Sequence, residues 1–324
     1  MSNYPDTKIH NTLPKILKHR ADTIPNTVAL RDKDLGIWNE ITWKEYNDKV
    51  SYLALGLEKR GFKAGDVIGL IGDNKPSWLF FELAAQAVGG MSLGIYRDTL
   101  DEEVGYLINA AKVNFVYAED QEQVDKILTI KRPKNNQIKI FYDDSRGLKE
   151  LNDPNITDML VLINEGNALA AKHPEKYNKM IEKVSGEKNA ILCTTSGTTS
   201  NPKLAMLPGA KFIEHVIRYL KVDPKSVDDE YVSVLPFPWI MEQTYAVGFN
   251  IVGGMKVNFP ERPETAMEDM REVGPTFMLG APRLWEQIAA DMRSRILDAP
   301  KITQWLFNTM VERGLKAVDQ GKRD

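Results

Sequence analysis

Cysteine and histidine are scarce in this sequence. Its single cysteine among 324 residues, Cys193, excludes an internal disulfide and is typical of a reducing compartment. Because Cys193 lies in an apolar run, we expect a buried thiol rather than a nucleophile. No metal site built from protein side chains is predicted, because the histidines are scattered and lack the i, i+4 spacing of a zinc-binding helix. We expect structural or surface roles for all four, which are His10, His19, His173 and His215.

A strong net charge and a long uninterrupted apolar run are also missing. Lys and Arg number 42 against 45 Asp and Glu, so a net charge of −3 gives no electrostatic argument for nucleic-acid binding. The N-terminus shows no secretory signal, and the most apolar passage, 78–96, contains Glu82 and Gln86 and is typical of a buried helix and strand rather than a membrane span. We therefore expect a cytoplasmic protein without a transmembrane segment. Peripheral membrane contact and the oligomeric state are left open.

The residues that are present have the balance of a globular enzyme. Hydrophobic residues make up 43% and charged residues 27%, and the length suits about two domains or subdomains. Short apolar runs alternate with helical patterns, which predicts an α/β fold of parallel sheets layered with helices. We expect a boundary near 185–188, giving subdomains 1–187 and 188–324. The predicted strands are 66–71, 91–95, 113–117, 138–142, 190–193, 204–207, 231–235, 255–258 and 276–279. The predicted helices are one from the Thr42/Glu45 capping box to about Arg60, then 76–88, 100–110, 159–180 and those after Pro282.

The densest chemical signal is the segment 194–203, which reads Thr-Thr-Ser-Gly-Thr-Thr-Ser-Asn-Pro-Lys and follows an apolar run. Hydroxyls and free backbone N–H groups donate hydrogen bonds to phosphate oxygens, and a lysine offsets their charge. A Walker loop is excluded, because it needs a glycine before the lysine and a hydroxyl residue after it, where this chain has Pro202 and Leu204. A Ser/Thr-rich surface turn is the alternative, but the preceding strand and the Pro-Lys ending favour a phosphate site.

This segment resembles the phosphate loop of the adenylate-forming (AMP-binding) superfamily, T-S-G-T-T-G-x-P-K-G, and departs from it at Ser200 and Leu204. Three further segments are similar to family patterns. Residues 65–78 resemble G-D-x-V-x-x-x-x-x-N-x-x-x-W, and 231–243 resemble L-P-L-A-H-x-x-E/Q with Trp239 in place of the histidine. Residues 274–286 resemble P-T-x-x-x-x-V/A-P-R-x-x-E of long-chain enzymes. Alone, the last two would be an apolar strand ending in a proline turn and a helix start with a surface arginine. Their order after the phosphate loop favours the N-terminal portion of a long-chain fatty acid–CoA ligase (acyl-CoA synthetase).

The resemblance implies particular site residues. Thr198 and Lys203 would be catalytic, and Trp239, Glu242 and Arg283 would line the substrate pocket. The residues expected to bind nucleotide phosphates are Thr195, Ser196, Gly197, Thr198, Thr199, Ser200 and Lys203.

The implied reaction is ATP-dependent activation of a medium- or long-chain fatty acid through an acyl-adenylate, followed by transfer to CoA. Mg²⁺ is implied as the companion of the triphosphate. In the family, the adenine- and ribose-binding segments, the hinge and the lysine of the small C-terminal domain follow the region matched here. We therefore expect an incomplete fold and little or no ligase activity from residues 1–324 alone.

Two alternatives stay open. The chain could be a naturally short, non-catalytic relative that binds nucleotide, an acyl group or a protein partner. The departures from the family pattern at Ser200, Leu204 and Trp239 slightly favour this alternative. Within the enzyme class, it could adenylate an acid for a carrier protein or support a luciferase-like oxidation. The retained Thr198, Thr199 and Lys203 favour an enzyme, and the segment 282–286 favours an acyl-CoA ligase.

Overall fold

The structure is a computed structural model that describes residues 4–133, 137–195, 202–280 and 282–321, with Arg283 described by its backbone alone. By contacts, the chain separates into two compact units, Met1–Phe277 and Met278–Asp324. The larger unit carries every strand of the two sheets described below. The division into subdomains near residues 185–188 stays a prediction.

The strands and helices alternate as the sequence predicts. The strands are β1 (Val28–Asp34), β2 (Ile37–Thr42), β3 (Val67–Ile71), β4 (Met91–Ile95), β5 (Phe115–Ala118), β6 (Lys139–Tyr142), β7 (Ile156–Asp158), β8 (Asn189–Thr195), β9 (Lys203–Pro208), β10 (Glu230–Val232) and β11 (Lys256–Phe259). The helices of the larger unit are α1 (Leu13–Thr23), α2 (Trp43–Lys59), α3 (Pro76–Val88), α4 (Asp101–Ala110), α5 (Gln121–Leu128), α6 (Met159–Lys172), α7 (Lys176–Glu182), α8 (Gly209–Val222), α9 (Ile240–Glu242) and α10 (Ala266–Val273). A π-helical stretch, Gln243–Gly253, continues α9, and a 3₁₀ turn, Pro263–Thr265, precedes α10.

The larger sheet has seven strands in the order β7-β6-β5-β3-β4-β8-β9. Its first six strands run parallel, as expected for strands joined through helices, and they bury an aliphatic core beneath those helices. The expectation of purely parallel sheets is corrected at the edge, where β9 is antiparallel to β8. The two strands are joined by a short loop, and a short loop can only return the chain antiparallel.

The smaller sheet has four strands in the order β10-β11-β1-β2. β1 pairs parallel with β11 and antiparallel with β2, so this sheet is also mixed. Strand β10 ends at Val232, three residues short of the prediction, and Pro236 lies just beyond. The predicted strand 276–279 is wrong in extent, because only a single bridge from Phe277 to Tyr231 forms.

Local signals place the helices well. Helix α2 starts at the predicted capping box, in which Glu45 accepts from the Thr42 amide at 2.8 Å and the Glu45 amide donates to the Thr42 hydroxyl at 3.3 Å. The predicted helix 159–180 is wrong as a single element. It breaks into α6 and α7, because Pro174 cannot continue the hydrogen-bond ladder of α6.

The smaller unit is described from Met278 onward and contains α11 (Pro282–Leu297) and α12 (Lys301–Asp319), as predicted for helices after Pro282. Both helices leave large apolar side chains exposed, including Trp305 and Leu315. In the described part of the chain, every helix is too short or too polar to cross a membrane.

Candidate functional site

The two ends of the predicted phosphate loop lie side by side at one edge of the larger sheet. Thr195 ends β8 and pairs with Lys203, which begins β9, and the Thr195 hydroxyl donates to the Lys203 carbonyl at 3.4 Å. The Tyr106 hydroxyl of α4 donates to the Pro202 carbonyl at 3.3 Å. Lys203 is exposed, and within the described residues no carboxylate pairs with it. The loop residues Ser196, Gly197, Thr198, Thr199 and Ser200 lie outside the described residues.

These loop ends lie where β8 ends, which is the carboxyl end of the parallel strands. The chain leaves β3 towards β4 on one side, whereas it leaves β5 towards β6 on the other. Such a change of direction opens a crevice between neighbouring strands, and ligands of α/β sheets bind in crevices of this kind. The two described ends of the predicted phosphate loop, Thr195 and Lys203, therefore lie at the end of the sheet where a ligand is expected.

The charges at this crevice are arranged in pairs. The Lys75 ammonium lies 3.0 Å from Glu119 Oε1, the Asp73 amide donates to Glu119 Oε2 at 2.5 Å, and Arg97 pairs with Asp73. Burial, helped by the neighbouring Glu119 charge, raises the pKa of the Asp73 carboxyl. Lys203 differs from Lys75 and Arg97 in having no such partner among the described residues.

The second family-like segment packs beside the strand that leads into the loop. Gly94 of β4 lies under Pro238, and a Cβ atom at Gly94 would come 2.9 Å from the Pro238 Cα. Phe237 stacks on Trp78 of α3, with ring centroids 5.5 Å apart. Since β4 pairs with β8, the segment 236–239 is held next to the base of the phosphate loop.

A void of about 10 Å³ marks this meeting point, which is room for one water molecule. Its lining joins three of the segments singled out in the sequence: 65–78 through Trp78, the loop strand through Cys193, and 231–243 through Phe237, Pro238 and Gln243. The structure therefore brings these three segments together. Cys193 is a buried free thiol, as expected, and burial raises its pKa to about 11.

Glu242 is fully buried and joins the two sheets. Its Oε2 accepts from the Tyr231 hydroxyl at 2.6 Å and its Oε1 from the Ser233 hydroxyl at 2.5 Å. The Asn74 side-chain amide, which follows β3, donates to Ser233 Oγ at 2.7 Å and to the Leu235 carbonyl at 2.6 Å. Burial raises the pKa of Glu242 to about 8. The predicted role of Glu242 in lining the substrate pocket stays a prediction, and the geometry gives it a buried bridging position.

The next residue, Gln243, makes the corresponding connection to α3. Its amide donates to Glu82 Oε2 at 3.2 Å and to the Phe237 carbonyl at 3.1 Å, while the Ser92 hydroxyl of β4 donates to Glu82 Oε1 at 3.0 Å. Glu82 is fully buried, and burial raises its pKa to about 7. Gln243 therefore ties the segment 236–239 to α3, whereas Glu242 ties the end of β10 to Asn74.

The other predicted pocket residues are less constrained. Trp239 is 37% exposed and precedes α9, so its ring is not part of the buried network. The side chain of Arg283 lies outside the described residues. Sequence reasoning gave no role to Asn74, Ser233 or Tyr231, because their partners come from distant positions. Glu82 carried a usable signal, since a carboxylate inside the apolar passage 78–96 has to find buried partners.

Metal ligands are not clustered in the described residues, where no group of three His, Cys, Asp or Glu side chains could hold an ion. Mg²⁺ stays a prediction, as the counter-ion of a bound triphosphate.

The chain matches the family described as AMP-binding enzyme over residues 17–311. Among curated proteins it is similar to the long-chain-fatty-acid–CoA ligase ACSBG2 of Rattus norvegicus, with 28% identity over 97% of this chain and 48% of the relative. It is also similar to ACSBG1 of Homo sapiens, another long-chain-fatty-acid–CoA ligase, with 27% identity over 94% of this chain and 43% of the relative. The chain therefore spans less than half the length of these relatives.

Solved structures share the fold. VinN superposes with a TM-score of 0.68 at 17% identity, over 87% of this chain and 64% of VinN. A fatty acid AMP ligase from Legionella pneumophila superposes with a TM-score of 0.63 at 15% identity, over 82% of this chain and 43% of the other. The chain therefore shares its α/β fold with these two solved structures.

Proposed function

Because this chain belongs to the AMP-binding enzyme family, we propose that it supplies the triphosphate-binding portion of an AMP-forming acid–CoA ligase whose substrate is a medium- or long-chain fatty acid. The curated relatives support the ligase class and the fatty acid. Since the chain spans less than half of their length, we propose the complete reaction for a protein that also has the remaining segments of these relatives. Residues 1–324 alone are expected to show little or no turnover.

The proposed reaction has two steps. A fatty carboxylate oxygen attacks the α-phosphorus of ATP, the bond to pyrophosphate breaks, and an acyl-adenylate forms. The CoA sulfur, as thiolate, then attacks the acyl carbon and AMP leaves. The first nucleophile is already an anion, so that step needs positioning and charge stabilisation rather than a general base.

The single observation that carries this proposal is the geometry of the loop ends. Thr195 and Lys203 are paired neighbours at the carboxyl end of β8, so both ends of the hydroxyl-rich segment lie at the same end of the sheet as the crevice. Lys203 is exposed and has no carboxylate partner in the described chain, which leaves its ammonium free to contact phosphate oxygens. The paired Lys75 and Arg97 are already engaged.

The network behind the loop gives the site its shape. Gln243 donates to the Phe237 carbonyl and Pro238 packs on Gly94 of β4, with a one-water void at this point, while Glu242 holds the preceding Tyr231 and Ser233. Such support keeps neighbouring groups in fixed positions without occupying the crevice. We propose that these residues position the wall of the substrate site and do not touch the reacting atoms.

Triphosphate binding by the 324-residue protein tests the proposal. Isothermal titration calorimetry with ATP and Mg²⁺ would compare the wild type with Lys203→Ala, using Lys149→Ala, an exposed lysine in the loop after β6, as the matched control. We expect Lys203→Ala to weaken binding about tenfold or more, since one charge-assisted contact contributes about 1.5–3 kcal/mol. Equal affinity in wild type and Lys203→Ala, or no binding by the folded wild type, would refute the proposed role of the loop.

The acyl substrate needs a separate measurement. Fatty acids of increasing chain length would be added to the ATP-loaded protein, and bound ligand would be counted by equilibrium dialysis. Retention of medium or long chains over acetate supports a fatty-acid ligase. Preference for a short or polar acid would move the chain to another branch of the family.

A further inference from the structure

A second, basic cleft lies at the opposite, amino end of the parallel strands. It has a volume of about 920 Å³, within the range of small-molecule sites. Three of its lining residues precede parallel strands. Ala64 lies in the turn before β3, Gly89 in the turn before β4, and Lys188 directly before β8. None of its lining residues belongs to the phosphate loop or to the buried network of Glu242.

Lysines dominate the rim of this cleft. Five lysines line it against two glutamates, Glu58 and Glu175, although the whole chain has a net charge of −3. One of the five, Lys176, pairs with Glu58 at 2.6 Å. The other four are exposed and, in the part of the chain that the structure describes, have no carboxylate within ion-pair distance. These four are Lys172, Lys179, Lys183 and Lys188.

The fold concentrates this charge on one side of α7. Lys176, Lys179 and Lys183 are spaced three and four residues apart, so they share a helical face, and Met180 lies between them. Like charges at this spacing repel, by a few tenths of a kcal/mol per pair. An anion bound among them would remove that repulsion.

The floor of the cleft is apolar. Ala64, Val88, Met180 and Val184 line it together with Gly89. Gly89 ends α3 with φ +90°, and a Cβ atom there would lie 3.2 Å from the Ala64 Cβ, so the two turns pack closely. The Gly65 amide donates to the Gly89 carbonyl at 3.0 Å, which ties the turns together. The backbone of this part of the lining is therefore fixed by packing and by a hydrogen bond between the two turns.

We propose that this cleft binds a single-chain anionic amphiphile, with a phosphate or carboxylate head among the lysines and the start of an alkyl chain on the apolar floor. Charge complementarity selects the head, because four of the ammonium groups have no carboxylate partner among the residues that the structure describes. The apolar floor selects a tail, which a simple inorganic anion would leave unused. The site is separate from the proposed ATP site, at the other end of the strands.

Dodecyl phosphate below its critical micelle concentration is the probe for this site. Calorimetric titration of the 324-residue protein would compare it with inorganic pyrophosphate, which has only the charge, and dodecyl maltoside, which has only the tail. The variants are Lys179→Glu/Lys183→Glu, which reverses the rim charge, and Ala64→Trp, which fills the floor. Lys8→Glu/Lys149→Glu is the matched charge control, since both lysines are exposed and unpaired. Melting temperatures confirm that each variant is folded.

We expect dodecyl phosphate to bind the wild type more tightly than either half-probe, and the rim variant to weaken it about tenfold or more. Ala64→Trp should weaken dodecyl phosphate while leaving pyrophosphate unchanged, and the control should behave as wild type. Equal affinity in wild type and the rim variant would overturn the proposal. So would a wild-type response in Ala64→Trp, because it would show that only diffuse charge, as on an anionic vesicle surface, attracts this face. Loss of ATP binding in Lys203→Ala has no bearing on these outcomes.

Discussion

The two ends of the seven-stranded sheet solve different physical problems. At the carboxyl end, polar side chains are buried and matched: Glu242 accepts from Tyr231 and Ser233, and Lys75 pairs with Glu119. At the amino end, four lysines face an open cleft without partners in the described chain. Polar groups that are paired with each other fix the geometry of the fold, whereas charges without a partner can attract a ligand of opposite charge. Apart from the unpaired Lys203, substitutions at the carboxyl end should therefore change stability, and substitutions of the four lysines at the amino end should change binding.

The largest effect is expected from Glu242→Leu. Removing the carboxylate leaves the buried Tyr231 and Ser233 hydroxyls without their acceptor, and unsatisfied buried groups cost roughly 1–3 kcal/mol each. We expect a loss of about 3–5 kcal/mol in the free energy of unfolding, measured by urea denaturation. Glu242→Gln keeps the shape and one acceptor and should lose much less. Similar losses in the two variants would show that packing, not hydrogen bonding, holds the sheets together.

The pH dependence of stability gives the next effect. Burial raises the pKa of Glu242 to about 8 and that of Glu82 to about 7, above the ordinary value of 4.5. The folded state therefore binds more protons than the unfolded state between these pKa values. The stability that protonation of the two carboxyls gives the fold is complete below about pH 4.5 and is lost as the pH rises through 7 and 8. Between pH 5 and 7 the free energy of unfolding should fall by up to about 1.4 kcal/mol per pH unit for each of the two carboxyls.

Urea midpoints at pH 5.5, 7 and 8.5 would measure this slope. In Glu82→Gln/Glu242→Gln the slope should flatten, because glutamine does not titrate. A slope that is unchanged in the double variant would assign the pH dependence to other groups.

A smaller loss is expected from Gly94→Ala. The new methyl group would come 2.9 Å from the Pro238 Cα, which is backbone and cannot rotate away. We expect a destabilisation of about 1–3 kcal/mol. Gly314→Ala is the matched control, because nothing lies within 4 Å of a Cβ at this position in α12, and it should be neutral or stabilising by about 0.5–1 kcal/mol. A neutral Gly94→Ala would mean that the segment 236–239 does not rest on β4.

Local sequence signals predicted most strands and several helices, among them α2, α3 and α4, but gave no prediction for α1, α5, α8 or α10. The capping box of α2 and the start of α3 at Pro76 lie within a few residues of their partners. The antiparallel direction of β9 follows from the short loop that joins it to β8. The partition of strands into two sheets, by contrast, depends on contacts between remote segments, which no local pattern encodes. The same holds for the site, where the phosphate loop was visible as a motif. Asn74 and Glu82 acquire their links to Ser233 and Gln243 from positions about 160 residues away in the chain.

The smallest stability effect, and the sharpest separation of the two ends, is expected at the pair of Lys176 with Glu58. Both side chains are more than a third exposed, so the pair should contribute less than about 1 kcal/mol to folding. Lys176→Met keeps the apolar stem, and Glu58→Gln keeps the shape, so neither should shift the urea midpoint measurably. Their effects on dodecyl phosphate should nevertheless be opposite. Lys176→Met removes a rim cation and weakens binding, whereas Glu58→Gln removes an anion and strengthens it. If both changes weaken binding, the pair acts by shaping the cleft and not through its charge. If Lys176→Met instead destabilises the fold as strongly as Gly94→Ala, the contrast between a structural carboxyl end and a binding amino end does not hold.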